Sequence, residues 1–124
     1  MRSRGRMKIY LSHSTGFDFV SDLYKPIKTS SLVKEHEFFF PHDEKEFNTR
    51  ELLKGFDILI AEVSFPSTGQ GIEIGWADSF GIPILAVHRV GAKISSAVPL
   101  VTDNIISYGD VSEMISQILD RITR

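Results

Sequence analysis

Residues 57–87 read DILIAEVSFPSTGQGIEIGWADSFGIPILAV and carry the pattern from which the fold class follows. Residues 58–61 are four consecutive apolar residues, which is typical of a strand covered on both faces of a parallel sheet. A polar loop with two glycines comes next, and apolar side chains then recur at helical spacing over 71–80. A glycine and a proline end that helix before a second buried strand, residues 84–87.

The alternation of strand and helix continues on both sides of this stretch. Strands are predicted over residues 8–12, 37–40, 57–63, 84–87 and 105–108. Helices are predicted over 17–27, 44–56, 71–80 and from Asp110 onward, and residues 95–100 as a short helix or an ordered loop. Because parallel strands need crossover connections, the pattern predicts an α/β fold, a doubly wound five-stranded parallel sheet in the flavodoxin-like order 2-1-3-4-5.

The chain has the length and composition of one globular domain, with 124 residues of which 42% are hydrophobic and 24% charged. We assign that domain to residues 7–124. Three arginines, Arg2, Arg4 and Arg6, lie in the first six positions. Residues 1–6 are therefore interpreted as a basic extension, which we expect to be disordered.

Composition excludes several classes of function. The chain has no cysteine, which rules out a thiolate nucleophile, a cysteine zinc site and a disulfide framework. Beyond the three N-terminal arginines acidic residues predominate, so a nucleic-acid polymer is not an expected partner. No apolar run is long enough to cross a bilayer, and we expect no membrane association and a cytoplasmic location.

Two polar loops are expected to meet at the point where the strand order reverses, which is where such sheets bind ligands. The first is residues 12–18 (SHSTGFD) and the second is residues 64–75 (SFPSTGQGIEIG). Glu73 is predicted to lie in the first turn of the helix after the second loop. There the helix dipole and free N–H groups would lower the pKa of its carboxyl group, which suits a nucleophile. The same pattern also fits a glutamate that merely begins a helix.

Other polar residues of the loops are weaker candidates. Gly69 and Gly71 form only a fragment of a nucleotide-binding motif, and neither a P-loop nor a dinucleotide site is predicted. His13 in the first loop could contact a ligand or bond locally. The histidines show no metal-ligand spacing, so no metal and no cofactor is expected.

Residues 61–87 (AEVSFPSTGQGIEIGWADSFGIPILAV) resemble the signature segment of the nucleoside 2-deoxyribosyltransferase-like family, which includes 2'-deoxynucleoside 5'-phosphate N-hydrolases. The resemblance also takes in Tyr10 on the first strand, Asp57 before the central strand, and the pair Ser96 and Ala97. It implies retaining cleavage of an N-glycosidic bond in a (2'-deoxy)nucleoside 5'-monophosphate.

The resemblance implies a role for particular residues. Glu73 would attack the anomeric carbon and hold the sugar as a covalent ester, and Tyr10 would position Glu73 or the sugar. Ser67 would bind the 5'-phosphate, together with Ser96 from the neighbouring subunit of a homodimer. The substrate-binding residues expected in all are Ser67, Gly69, Gly71, Ser96, His13, Ser14 and Thr49.

The sequence departs from the family pattern at two places. Thr49 stands where the family has a helix-borne aspartate that orients the sugar or the leaving base. His13 and Gly16 stand where the nucleotide hydrolases have a glycine and a phosphate-binding arginine. Three alternatives therefore stay open: a nucleoside 2-deoxyribosyltransferase, a non-catalytic nucleotide-binding module, and a TIR-like NAD glycohydrolase, to which the opening YLSHS is similar.

Overall fold

The computed structural model describes residues 5–45 and 47–123. Its centre is a five-stranded, all-parallel sheet in the order β2-β1-β3-β4-β5, as predicted. The strands are β1 Lys8–His13, β2 Glu37–Phe39, β3 Ile58–Glu62, β4 Ile84–Arg89 and β5 Ile105–Tyr108. The α-helices are α1 Lys25–Lys28, α2 Leu32–Glu35, α3 Thr49–Leu53, α4 Thr68–Ser79, α5 Val98–Val101 and α6 Val111–Ile122.

Each face of the sheet buries a separate hydrophobic core. Successive residues of a strand point to opposite faces, so Ile58 and Ile60 of β3 enter one core and Leu59 and Ala61 the other. Helices α1, α2 and α6 close the first core, and helices α3, α4 and α5 close the second. All five residues of β3 are buried, which confirms the prediction of a strand covered on both faces.

Helix α4 begins at Thr68, earlier than the predicted start near residue 71. Ser67 has an extended backbone, and its side chain accepts the N–H of Gln70, so it caps the helix. At the other end Gly81 adopts a φ of +74°, which only glycine enters easily. Its N–H reaches the carbonyl of Asp78, and the predicted stop of the helix is confirmed.

The predicted helix over 44–56 is wrong in its first half, because α3 covers only Thr49–Leu53. Asn48 is extended, and its side chain accepts the N–H of Glu51, which fixes the helix start. Ahead of it the chain forms a short 3₁₀ turn, Pro41–Asp43, tied to α1 by an ion pair between Asp43 and Lys28. Residue 46 lies outside the described part of the chain.

The predicted helix over 17–27 starts later than expected. A wide π-helical turn, Val20–Tyr24, runs directly into α1. Pro26 lies in the first turn of α1, where the missing N–H of a proline is tolerated. Phe17 and Phe19 precede the helical residues and pack against the first core instead.

Near the C-terminus, Asp110 and Glu113 form a variant of the capping box at the start of α6. Asp110 caps α6 by accepting the N–H of Glu113 at 2.8 Å. The Glu113 carboxylate returns to the N–H of Gly109, one residue before the cap. Residues 95–100 contribute the first turn of α5, and residues 1–4 of the predicted basic extension lie outside the described residues.

Candidate active site

Glu73 on α4 lies over the carboxyl end of β1, where two hydroxyl groups reach its two carboxylate oxygens. The hydroxyl of Tyr10 donates to Oε2 at 2.9 Å, and that of Ser12 donates to Oε1 at 2.8 Å. Tyr10 and Ser12 are two residues apart on β1, so their side chains leave the sheet on the same face. This is the face that α4 covers. A carboxylate that accepts a hydrogen bond at each oxygen matches its ionised form.

The electrostatics of Glu73 differ from the sequence expectation. Because α4 begins at Thr68, Glu73 lies in the second turn, beyond the free N–H groups of the helix start. Burial raises the pKa of the Glu73 carboxyl group, and the hydrogen bonds from Ser12 and Tyr10 and the proximity of His42 oppose that rise. The expected lowering by the helix dipole is therefore wrong. Local hydrogen bonding, and not the helix dipole, favours the ionised form of Glu73.

Tyr10 is held as a neutral hydrogen-bond donor. It is fully buried, and its ring stacks on Phe39 and meets Phe56 edge-on. Burial raises the pKa of its hydroxyl, and the neighbouring Glu73 charge raises it further. The side chain of Thr49, at the start of α3, is close enough to lower that pKa through a hydrogen bond. Thr49 thus lies beside Tyr10, although it brings no second carboxylate to the site.

The second loop and the start of α4 border a pocket of about 340 Å³. Ser67, Thr68 and Gly71 line one side of this pocket, and Ser95 and Ala97 line another. A Cβ atom placed at Gly69 or Gly71 would meet no atom within 4 Å, so there is room for a methyl group at either position. Ser67, which precedes them, is an exposed residue.

Ser96 lies between Ser95 and Ala97, which both line this pocket, on an exposed segment before α5. Its own side chain is not among the lining groups of the pocket. The role expected for it, in the site of a neighbouring subunit, stays a prediction.

His13 and Ser14 of the first loop are buried and bond within the protein. Nδ1 of His13 lies 2.8 Å from the carbonyl of Ser14, and Nε2 lies 2.7 Å from the hydroxyl of Tyr24. Burial lowers the pKa of His13. The Ser14 hydroxyl accepts the N–H of Gly16 at 2.8 Å and so shapes the loop. The hydrogen-bonding capacity of the His13 ring is used by these two partners.

Two residues near Glu73 were not expected as site residues, namely Ser12 and His42. Ser12 could have been found from the sequence, because it lies two residues after Tyr10 on a predicted strand and both side chains therefore lie on one face. His42 lies in the 3₁₀ turn after β2, is exposed, and approaches Glu73 closely enough to lower its pKa.

Within residues 5–45 and 47–123 there is no group of three or more histidine, aspartate or glutamate side chains placed to hold a metal ion. None of the described helices is both long enough and apolar enough to span a lipid bilayer.

Three curated proteins are similar to part of the chain, and each carries the name "Putative 2'-deoxynucleoside 5'-phosphate N-hydrolase 1". The protein from Syntrophotalea carbinolica is 46% identical over 63 residues, which cover 47% of this chain and 43% of that protein. The protein from Methanosarcina mazei is 39% identical over 84 residues, covering 64% of this chain and 52% of that protein. The resemblance to the nucleoside 2-deoxyribosyltransferase-like family is confirmed. The chain spans about half the length of the curated relatives it matches.

Solved structures show the same fold. A CMP N-glycosidase from Clostridium botulinum superposes with a TM-score of 0.64 at 22% identity, covering 90% of this chain and 97% of that one. A 2-deoxyribosyltransferase from Bacillus psychrosaccharolyticus superposes with a TM-score of 0.59 at 21% identity, covering 86% and 89%. No protein-family model matches the chain.

Proposed function

We propose that the protein is an enzyme that hydrolyses the N-glycosidic bond of (2'-deoxy)nucleoside 5'-monophosphates, with Glu73 as its nucleophile. The proposal rests on the two hydrogen bonds to the Glu73 carboxylate. One oxygen accepts from Tyr10 at 2.9 Å, and the other accepts from Ser12 at 2.8 Å. The names of the curated relatives supply the substrate class.

The reaction proceeds in two displacements at the anomeric carbon of the sugar. A Glu73 carboxylate oxygen attacks that carbon, the N-glycosidic bond breaks, and its electron pair leaves with the base, which takes up a proton from solvent. Water then attacks the same carbon and loses a proton to solvent, the ester bond to Glu73 breaks, and the sugar 5-phosphate departs as the carboxylate is restored. Two inversions give net retention. Tyr10 stays protonated throughout, since its pKa is raised, and so remains a donor to Glu73.

Ser67 is the phosphate-binding residue in this proposal. Its oxygen accepts the N–H of Gln70 at a long 3.4 Å, which leaves its hydroxyl proton free to donate. It also begins α4, a helix of 12 residues whose N-terminal N–H groups favour an anion. Ser96 of a second copy would complete the phosphate site, so the active form in this proposal is a homodimer.

The test is release of free base from a panel of deoxyribonucleotides and ribonucleotides, with nucleosides and NAD as comparison substrates. Wild type should release base from a nucleoside monophosphate, and Glu73→Gln should lower kcat by on the order of 10³-fold or more. Glu35→Gln is the matched control, because Glu35 is exposed on α2, which packs on the opposite face of the sheet from α4. Absence of release by wild type at high enzyme concentration contradicts the proposal.

The same assay separates hydrolysis from transfer. With a second base added, a hydrolase yields sugar phosphate, whereas a transferase yields a new nucleotide through the same ester. Ser67→Ala should raise KM for nucleotides and leave KM for nucleosides unchanged. An equal effect on the KM of both substrates would contradict the assignment of Ser67 to the phosphate site.

A further inference from the structure

Ser12 is a fully buried hydroxyl whose hydrogen bond goes to the candidate nucleophile. It is 0% exposed and lies one residue before the end of β1, opposite Ala61 of β3. Its hydroxyl donates to Oε1 of Glu73 at 2.8 Å. A buried hydroxyl costs free energy unless it is hydrogen-bonded, and here a reactive carboxylate meets that need.

Two hydrogen bonds restrain a carboxylate more than one does. With Tyr10 alone, Glu73 would be held at Oε2, and the carboxylate could turn about that contact. Ser12 adds a second fixed point at Oε1. Both donors are on the same strand, which pairs with β2 on one side and β3 on the other, so their separation is set by the sheet.

We propose that Ser12 is a positioning residue that holds Glu73 in the orientation from which it attacks the sugar. The proposal rests on the proposed function, since it names a further residue for the same reaction. Ser12 itself does not contact the reacting carbon. It acts through Oε1 of Glu73 and works jointly with Tyr10 on Oε2.

The charge state of Glu73 adds support to this geometry. Burial raises its pKa, and the hydrogen bond from Ser12 is the largest of the effects that lower it again. Hydrogen bonds to an ionised acceptor are about twice as strong as neutral ones. Loss of the Ser12 hydroxyl therefore leaves a more mobile carboxylate that protonates more readily.

The kinetic test compares Ser12→Ala, Ser12→Thr and Ser107→Ala. Ser12→Ala should lower kcat by roughly 10-fold with little change in KM, and it should move the acidic limb of the pH profile to higher pH. Ser12→Thr restores a hydroxyl and should recover most of both effects. Ser107→Ala is the matched control, because Ser107 is also a strand serine but is exposed on β5. If Ser12→Ala unfolds, Ser12→Cys, which is similar in size but a weak donor, replaces it.

A second measurement does not depend on turnover. The ¹³C resonance of the Glu73 carboxyl carbon, assigned by its loss in Glu73→Gln, is titrated in wild type and in Ser12→Ala. We expect the midpoint to move to higher pH in Ser12→Ala and to stay unchanged in Ser107→Ala. An unchanged midpoint together with an unchanged kcat overturns the proposal for Ser12. If wild type releases no base, the proposed function fails, and the titration still decides whether Ser12 holds Glu73.

Discussion

The hydroxyl group of Tyr24 lies 2.7 Å from Nε2 of His13 and joins the first loop to the turn after β2. The same oxygen accepts the backbone N–H of His42 at 3.1 Å. Because the carbonyl of Ser14 can only accept, Nδ1 of the neutral His13 ring carries the proton, and Nε2 accepts the hydroxyl proton of Tyr24. Burial raises the pKa of Tyr24 to about 12, so this arrangement persists at neutral pH.

Tyr24→Phe should destabilise the protein by about 1–3 kcal/mol. The ring keeps its packing, but the buried Nε2 of His13 loses its donor and the N–H of His42 loses its acceptor. Urea unfolding followed by circular dichroism measures the change. A variant within 0.5 kcal/mol of wild type would show that water replaces the hydroxyl at no cost.

Glu62→Ala should lower the free energy of unfolding by about 3 kcal/mol or more. Glu62 is fully buried at the end of β3, and its carboxylate accepts the N–H and the hydroxyl of Ser64 and the hydroxyl of Tyr108. Removal of the carboxylate leaves these buried donors unpaired. Urea unfolding should show the loss, while Glu44→Ala, at an exposed carboxylate, should stay within about 0.5 kcal/mol of wild type. Equal stability of the two variants would contradict a structural role for Glu62.

Glu73→Gln should be at least as stable as wild type at pH 8. The pKa of Glu73 is raised in the folded protein, so the folded state binds its proton more tightly than the unfolded chain does. The stability that the protonated group contributes is complete below the ordinary pKa of 4.5 and is lost as pH rises through the folded value. The advantage of the variant should therefore shrink as pH falls. Thermal unfolding at several pH values checks this, and a variant that is less stable at pH 8 contradicts it.

His36 should make the protein less stable as pH falls below neutrality. It is 3% exposed, and its Nδ1 accepts the N–H of Met7 at 3.1 Å, which requires an unprotonated Nδ1. Burial lowers the pKa of His36 below 6.5, so the unfolded chain takes up the proton first and unfolding is favoured as pH drops through that value. His36→Asn keeps an acceptor without a titratable group. The difference between the urea stabilities of variant and wild type should change between pH 8 and pH 5, and parallel curves would contradict the assignment.

The strands and their order could be predicted from the sequence. Each apolar run is short, and the segments between these runs have apolar residues at helical spacing. The site was harder to predict, since it depends on which helix crosses which strand. Glu73 was found from its own loop, but the contact of Ser12 with Glu73 joins residues 61 apart in the chain, and local patterns do not encode it.

The predicted direction of the Glu73 pKa shift was wrong for a related reason. The start of α4 was placed at the glycines, although Ser67 followed three residues later by Gln70 is a recognised capping pattern. In the structure the Gln70 side chain turns instead to the carbonyl of Glu62 at 2.8 Å. The helix starts earlier than expected, and burial, which no local pattern reports, raises the pKa of Glu73.

Because Tyr10 and Ser12 belong to an inner strand, the amides around them should exchange with deuterium only when the whole domain opens. The loops that would receive a substrate are built separately, from the segments that follow β1 and β3. Residues of these loops can then vary while the environment of Glu73 stays the same. In the proposed enzyme, chemistry and specificity would thus depend on different parts of the chain.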